Sequence, residues 1–355
     1  MRGTTGLVFV CIIAAMSGYF VFSGMQKSTS FSRSDVEVYN RWRAEFNKLS
    51  ATPSENDFRM RVLIEKAKQI REWNAQYEKH VAEKGLPPLT GPMFELKEWS
   101  DLTEEEFNKM YTGLRTDELE HLEVDKSLGY ELPVSNTGLG AVTYQHKIRN
   151  QGYCGSCWAF SAVAILERHY FVRNGVQMDL SQQLLVDCST RNSGCNGGWI
   201  GYALDYVAAS GIQSAVSYPY TATKNVCNRQ ADKAIWFDST FASKTIPYTT
   251  TAAINAANKQ ITTYLGVAAS GKFGSLSTTD DIFDASFSGE CNSNRNHAIN
   301  LAAVGRDARL RSFLQVLNSW GTGWGFQGMK KIYPCSETTL WGSAQFIAYS
   351  TNVSL

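Results

Sequence analysis

Seven of the eight cysteines of this chain lie between residues 154 and 335, and residues 35–125 contain none. A chain so divided has one part that could be cross-linked and one part that must fold without cross-links. If those cysteines pair, the compartment is an oxidising one, as for a secreted domain. Cys11 lies apart, in an apolar run at the N-terminus. The remaining seven are odd in number, which points to a free reactive thiol. The other six allow many pairings, and the residues alone do not choose among them. One cysteine has a distinctive context, the run Gln151-Gly-Tyr-Cys-Gly-Ser-Cys-Trp-Ala-Phe160. Cys157 stands directly before the strongly apolar stretch 158–166, which continues to Asn174 and Gly175, a helix stop. A thiol at the start of a helix meets the positive end of the macrodipole, which favours the nucleophilic thiolate.

A nucleophile of this kind needs a base, and the base needs an orienting group. Beyond residue 131 there are three histidines, His146, His169 and His297. His169 shares the rod that Cys157 opens and cannot easily turn back to the thiol. His146, in a polar approach segment, reads as a solvated surface residue. His297 opens the apolar run 297–304, which reads as a strand. Downstream, Asn318-Ser-Trp-Gly-Thr-Gly-Trp-Gly325 supplies an amide suited to hold the His297 tautomer, with Trp320 to shield that bond.

These motifs, in this order and spacing, resemble the papain family of cysteine proteases, specifically a cathepsin L-like precursor. The resemblance covers about residues 35–350. It implies an α+β, papain-like fold of two lobes, one helical and one an antiparallel β-barrel, preceded by a helical propeptide. It implies that Cys157 is the nucleophile, His297 the acid/base and Asn318 the orienting amide. Gln151 and the Cys157 backbone N–H become the oxyanion hole. It also implies the disulfides Cys154–Cys195, Cys188–Cys227 and Cys291–Cys335, leaving Cys157 free. Substrates are then polypeptides, held by Gly197, Gly198, Trp199, Ile200, Ala298 and Trp320, with Ala268 near by. An apolar pocket of that kind favours Leu or Val two residues before the cut bond and rejects Arg, whose charge would be buried unpaired. No cofactor and no metal are implied. The expected partners are the chain's own propeptide as an intramolecular inhibitor and cystatin-like protein inhibitors, with a monomeric enzyme and no nucleic acid. The net charge of +1 agrees with the last point.

The part before residue 131 fits a precursor. Residues 7–22 are almost unbroken apolar sequence after Met1-Arg2, short for a membrane span. They read as a signal peptide over 1–23, with a signal anchor as the alternative. Residues 24–131 form the inhibitory propeptide and 132–355 the mature domain, destined for lysosomes or the extracellular space. Tyr39, Trp42, Phe46 and Leu49 recur at helical spacing until Pro53. A longer helix from near Glu55 presents Leu63, Ala67, Ile70, Trp73 and Tyr77 on one face. Glu55, Arg59, Leu63, Lys66, Ile70 and Asn74 fall on the ERFNIN pattern of cathepsin L-type propeptides, with Leu63 and Lys66 departing from it. Thr103 and Glu106 form a capping box for a third helix bearing Phe107, Met110 and Leu114. Acid release is expected from the propeptide's carboxylates, among them Asp101, Glu104, Glu105, Glu106, Glu118, Glu120, Glu123 and Asp125.

Some family landmarks are altered. Ser135-Asn136-Thr137, Leu265-Gly266-Val267 and Ser336 stand where the family usually has other residues. The rival reading is a non-catalytic papain-like binding protein. Loss of Cys157, Gln151, His297 or Asn318 would favour it, and all four are present.

Overall fold

The computed structural model describes residues 31–49, 52–115, 144–237, 241–246, 263–269, 271–289, 291, 295–335 and 345–350. The expected signal segment, the propeptide–enzyme boundary near 132 and the stretch 336–344 lie outside these residues.

Among the described residues the N-terminal region is three helices and a connecting strip. Helix α1 (Arg33–Glu45) is capped by Ser32 and Asp35, and it buries Tyr39 and Trp42. Leu49, expected on the same face, is exposed. The helix has ended by then, and Asn47 turns the chain out at φ 49°. Helix α2 (Pro53–Glu83) starts two residues earlier than expected, because Thr52 caps Glu55 N and Pro53 takes the first helical position. Proline is tolerated there since that N–H would be unpaired anyway. Leu63, Ala67, Ile70 and Tyr77 are buried along it. Helix α3 (Glu104–Tyr111) carries the expected Thr103–Glu106 capping box. It ends before Leu114, which leaves the helical face and packs in a different core.

The helical lobe comprises α4 (Cys157–Asn174), α5 (Gln182–Cys188) and α6 (Ile200–Ser210). Gly175 closes α4 in the left-handed conformation (φ 67°), and the Ser181 side chain caps Leu184 N in α5. Helix α4 has apolar residues nearly all round, as a helix at the centre of a lobe must. Cys157, Trp158, Ala162, Val163, Ile165 and Leu166 are all fully buried.

The second lobe is a seven-stranded sheet of order β1-β7-β2-β4-β5-β6-β3, antiparallel except for the β3–β6 pair. Its strands are β1 (Phe241–Ile246), β2 (Thr263–Val267), β3 (Phe283–Asp284), β4 (His297–Arg306), β5 (Ser312–Leu317), β6 (Met329–Tyr333) and β7 (Gln345–Ser350). A short helix α7 (Gly271–Gly274) follows β2. Strand β4 is central, pairs with β2 and β5, and lies against α4, so its first residue reaches the seam between the lobes.

Disulfides join Cys154 to Cys195, Cys188 to Cys227 and Cys291 to Cys335, the same three pairs the resemblance implies, and Cys157 is free. Two staple the helical lobe and one the sheet lobe.

Candidate active site

Helix α4 and strand β4 meet at their first residues. The fold therefore brings Cys157, at the first position of α4, to His297, at the start of β4. The backbone N–H of Ala298, the residue after His297, hydrogen-bonds the Cys157 thiol. His297 Nε2 lies 2.8 Å from Asn318 Oδ1, in the loop after β5. The Trp320 indole stacks on the imidazole at 4.4 Å between ring centroids, which closes that hydrogen bond to water. His297 Nδ1, the other ring nitrogen, is buried with no hydrogen-bond partner.

Gln151 sits just before the α4 turn. Ser319 Oγ donates to Gln151 Oε1 at 2.6 Å, which fixes the amide so that its NH2 end faces the cleft. That nitrogen donates to Cys154 O at 2.8 Å and to Tyr111 O at 3.2 Å. The Tyr111 carbonyl, which also accepts from Trp320 Nε1 at 3.1 Å, comes from the N-terminal region. Ser319 was not anticipated from the sequence, although it adjoins Asn318.

The same region continues along the cleft as a strip, residues 111–115. Gly198 N donates to Gly113 O at 2.8 Å, and Arg115 N donates to Gly198 O at 2.9 Å, a parallel bridge. On the opposite wall Gly113 N and Leu114 N both donate to Asn296 O. Gly113 lies so close to the floor that a Cβ there would sit 2.3 Å from Gly155 O. The Leu114 side chain joins the core cluster that holds Trp199, Ile200 and Ala298. Gly266 closes on it, since a Cβ at 266 would be 2.9 Å from Leu114 Cδ2. Ala268 is buried but outside that cluster. The segment expected at the base of this pocket, 340–344, lies outside the described residues.

Covering the site changes its electrostatics. Cys157 and His297 are both fully buried. Burial pushes the thiol up to about 12, against the opposing pull of backbone N–H groups that include those of Ala298 and Trp158. Burial pushes the imidazole down to about 4, against the Asn318 hydrogen bond. Desolvation disfavours both charged forms. With the strip in place, burial thus opposes the thiolate that the helix start favours and opposes the imidazolium with it.

The remaining histidines stand apart. His169 lies in α4 as expected. His146 is half-buried rather than solvated, with its ring edge-on to Tyr144 at 4.8 Å. Burial, with help from the Arg168 charge, lowers it to about 4. Tyr144, itself against Phe171, and the Arg168 side chain pack here, which the polar composition of the segment hid. Behind the site, Glu167 accepts two hydrogen bonds from Arg149, which also reaches Asp179. Among the described residues no group of three His, Cys, Asp or Glu side chains is placed to hold a metal. No described helix is long and apolar enough to cross a membrane.

This geometry agrees with what comparison shows. The family described as papain family cysteine protease matches residues 140–346. The chain belongs to the papain family. It is similar to caricain of Carica papaya, 31% identical over 329 residues that cover 90% of this chain and 88% of the relative. Mouse (Mus musculus) procathepsin L is 30% identical over 313 residues, covering 85% and 88%. Its fold is that of digestive procathepsin L 3 from the Tenebrio molitor larval midgut, with a TM-score of 0.71 at 22% identity over 90% of this chain and all of the other. The stem bromelain precursor superposes as well, with a TM-score of 0.71 at 23% identity over 90% and 100%. The protein is a papain-family cysteine protease precursor, with a two-lobed α+β domain preceded by a helical region like that of the procathepsins.

Proposed function

We propose that this chain is the inactive precursor of a cysteine endopeptidase that cuts polypeptides through Cys157, His297 and Asn318. The observation that carries the reading is the meeting of the α4 and β4 first residues, with the imidazole held by Asn318 at 2.8 Å. Once residues 111–115 leave, water reaches the pair and the burial that keeps both groups neutral is lost. The proton of Cys157 passes to His297, assisted by the N-terminus of α4. The thiolate attacks the peptide carbonyl carbon, forming a C–S bond, while the carbonyl oxygen gains negative charge. Gln151 Nε2 and the Cys157 backbone N–H stabilise that charge. One such donor is typically worth about 3–4 kcal/mol. His297 then protonates the leaving amine as the C–N bond breaks. Water, deprotonated by His297, hydrolyses the thioester and restores the thiol.

On this reading residues 24–131 are the inhibitory propeptide and 132–355 the mature enzyme, reached through the secretory pathway in lysosomes or outside the cell. The Tyr111 carbonyl occupies the Gln151 donor, and the parallel pairing with Gly198 supports a propeptide lying reversed in the cleft. Leu114, seated by Trp199 and Ala298, supports an apolar pocket for the residue two before the cut bond.

Release by acid rests on individual carboxylates of opposite sign. Glu106 is held below its usual 4.5, chiefly by hydrogen bonding to Arg59, which meets it with two nitrogens at 2.7 and 2.8 Å. A depressed folded-state value means stability that is present above 4.5 and lost as pH falls through the lower value. Glu106 therefore favours release in acid. Burial raises Asp101, whose Lys48 partner is 3.8 Å away. Its strain is relieved on protonation, so Asp101 opposes acid release, contrary to the reading from composition.

The deciding experiment is Cys157→Ser. It should reduce peptidase activity of the acidified protein to background and abolish alkylation by iodoacetamide, while the precursor still folds with its three disulfides. Substantial activity in the variant would sink the mechanism.

A further inference from the structure

Tyr153 lies two residues beyond Gln151, on the rim of the cleft, and neither the nucleophile, its base nor the oxyanion donors require an aromatic residue there. The residue is 58% exposed even with the N-terminal region in place. What covers the rest is informative. The Tyr111 ring meets it edge-on at 5.7 Å, and Lys48 Nζ lies 3.2 Å from its hydroxyl. Both partners belong to the region that leaves on activation.

The position along the cleft follows from the strip. Its residues run from Tyr111, whose carbonyl is on Gln151 Nε2, through Gly113 to Leu114 and Arg115 at Gly198. Gly198 and the Leu114 pocket lie on the side that takes the acyl part of a substrate. Tyr111 therefore marks the other side of Cys157, where the leaving amine and the residues after it must lie. There its ring is buried, edge-on to Trp320 at 6.0 Å as well as to Tyr153. An aromatic side chain thus already fills this side of the cleft, held between one enzyme aromatic that is buried and one that is exposed.

We propose that Tyr153 is a specificity-determining residue on the leaving-group side, where it selects an aromatic side chain at one of the two positions just after the cut bond. The inference rests on the peptidase reading. Edge-to-face aromatic pairs of this geometry give selectivity beyond simple burial. Trp320 supplies a fixed wall, tied down by the imidazole it covers. Tyr153 supplies the outer wall, which stands open once Tyr111 and Lys48 depart.

The test uses enzyme activated from the full-length precursor. Two substrates share one acyl half with Leu two residues before the cut. One is a methyl ester, which has no residue after the cut. The other is a set of internally quenched peptides carrying Phe, Tyr, Leu or Ala at the first or second position after it. For each variant, kcat/KM for the peptides is normalised to that for the ester. The wild type should prefer Phe or Tyr to Ala by about threefold to tenfold at one of these positions. Tyr153→Ala should reduce the preference to less than about twofold, and Tyr153→Phe should retain it. A preference unchanged in Tyr153→Ala, or no aromatic preference in the wild type, overturns the inference while leaving ester cleavage intact. A wild type that cleaves neither substrate overturns the peptidase reading and this inference with it.

Discussion

The two lobes are built on different terms. Among the described residues, only Leu114 of the twenty buried in the helical-lobe cluster comes from the N-terminal region. In the sheet-lobe cluster eight of twenty-one do: Ile70, Tyr77, Val81, Met93, Phe94, Trp99, Phe107 and Tyr111. These are large side chains, and they interleave with the enzyme's own. Phe94 meets Phe283 edge-on at 5.8 Å, and Tyr77 meets Phe287 at 4.9 Å. Backbone joins in, for Phe94 bridges Leu276, Ser277 N donates to Met93 O and Glu95 N donates to Ser275 O. The helical lobe also has two of the three disulfides. The lesson is that one lobe builds its core almost without the N-terminal region, while the other shares its core with the segment proposed to be the propeptide.

The most severe way to break this contrast is to fold the chain from residue 132 onward, without the N-terminal region. Refolding should then yield essentially no peptidase activity. Hydrogen exchange should show protection retained in α4 and lost across β4–β6. Equal protection in both would refute the contrast. Next in size is Phe94→Ala in the full precursor, which should cost about 3–5 kcal/mol in chemical unfolding, the usual loss for a buried Phe. The loss should again fall on the sheet lobe, and a uniform loss across both lobes would count against unequal construction. The smallest effect is expected from Glu106→Gln. It leaves the shape of the α2–α3 contact but removes the charge that Arg59 holds. The pH at which half the precursor converts should rise, because the variant lacks the stability that Glu106 otherwise keeps down to its depressed value. An unchanged midpoint, followed by gel densitometry across pH 3–6, would show that the lock lies elsewhere.

Local features were legible where local chemistry decides them. Ser181, the Thr103–Glu106 box and Gly175 cap helices through their own side chains or backbone, so a few residues of sequence suffice. That His297 would meet Asn318 beside Cys157 was legible because family spacing stands in for a fold. What sequence could not show depends on where another segment lies. Leu114 continues the periodicity of α3, yet it packs in the cleft because the helix stops at Tyr111. His146 is set in polar sequence, yet Tyr144 and Arg168 enclose it. Asp101 and Glu106 look alike in composition, and it is the burial of one and the Arg59 hydrogen bonds of the other that give them opposite signs. Of the two carbonyls on Gln151 Nε2, that of Tyr111 could not be foreseen at all, since it lies forty residues away.

Gly113 gives the storage of this enzyme a narrow tolerance. It adopts φ +147°, which side chains disfavour, and its missing Cβ would lie 2.3 Å from Gly155 O. The enzyme's own Gly197 and Gly155 are pared down to meet it, each with its Cβ position within 2.8 Å of strip backbone. Three adjoining glycines thus let main chain lie flush on main chain across the mouth of the site. Adding one carbon at residue 113 would lift the strip away from Gly198 and Gln151 together, while the helices behind it stayed docked. On the proposed reading, such a chain would keep its fold and leak activity at neutral pH. On that reading, the silence of the precursor depends at this point on an absent methyl group.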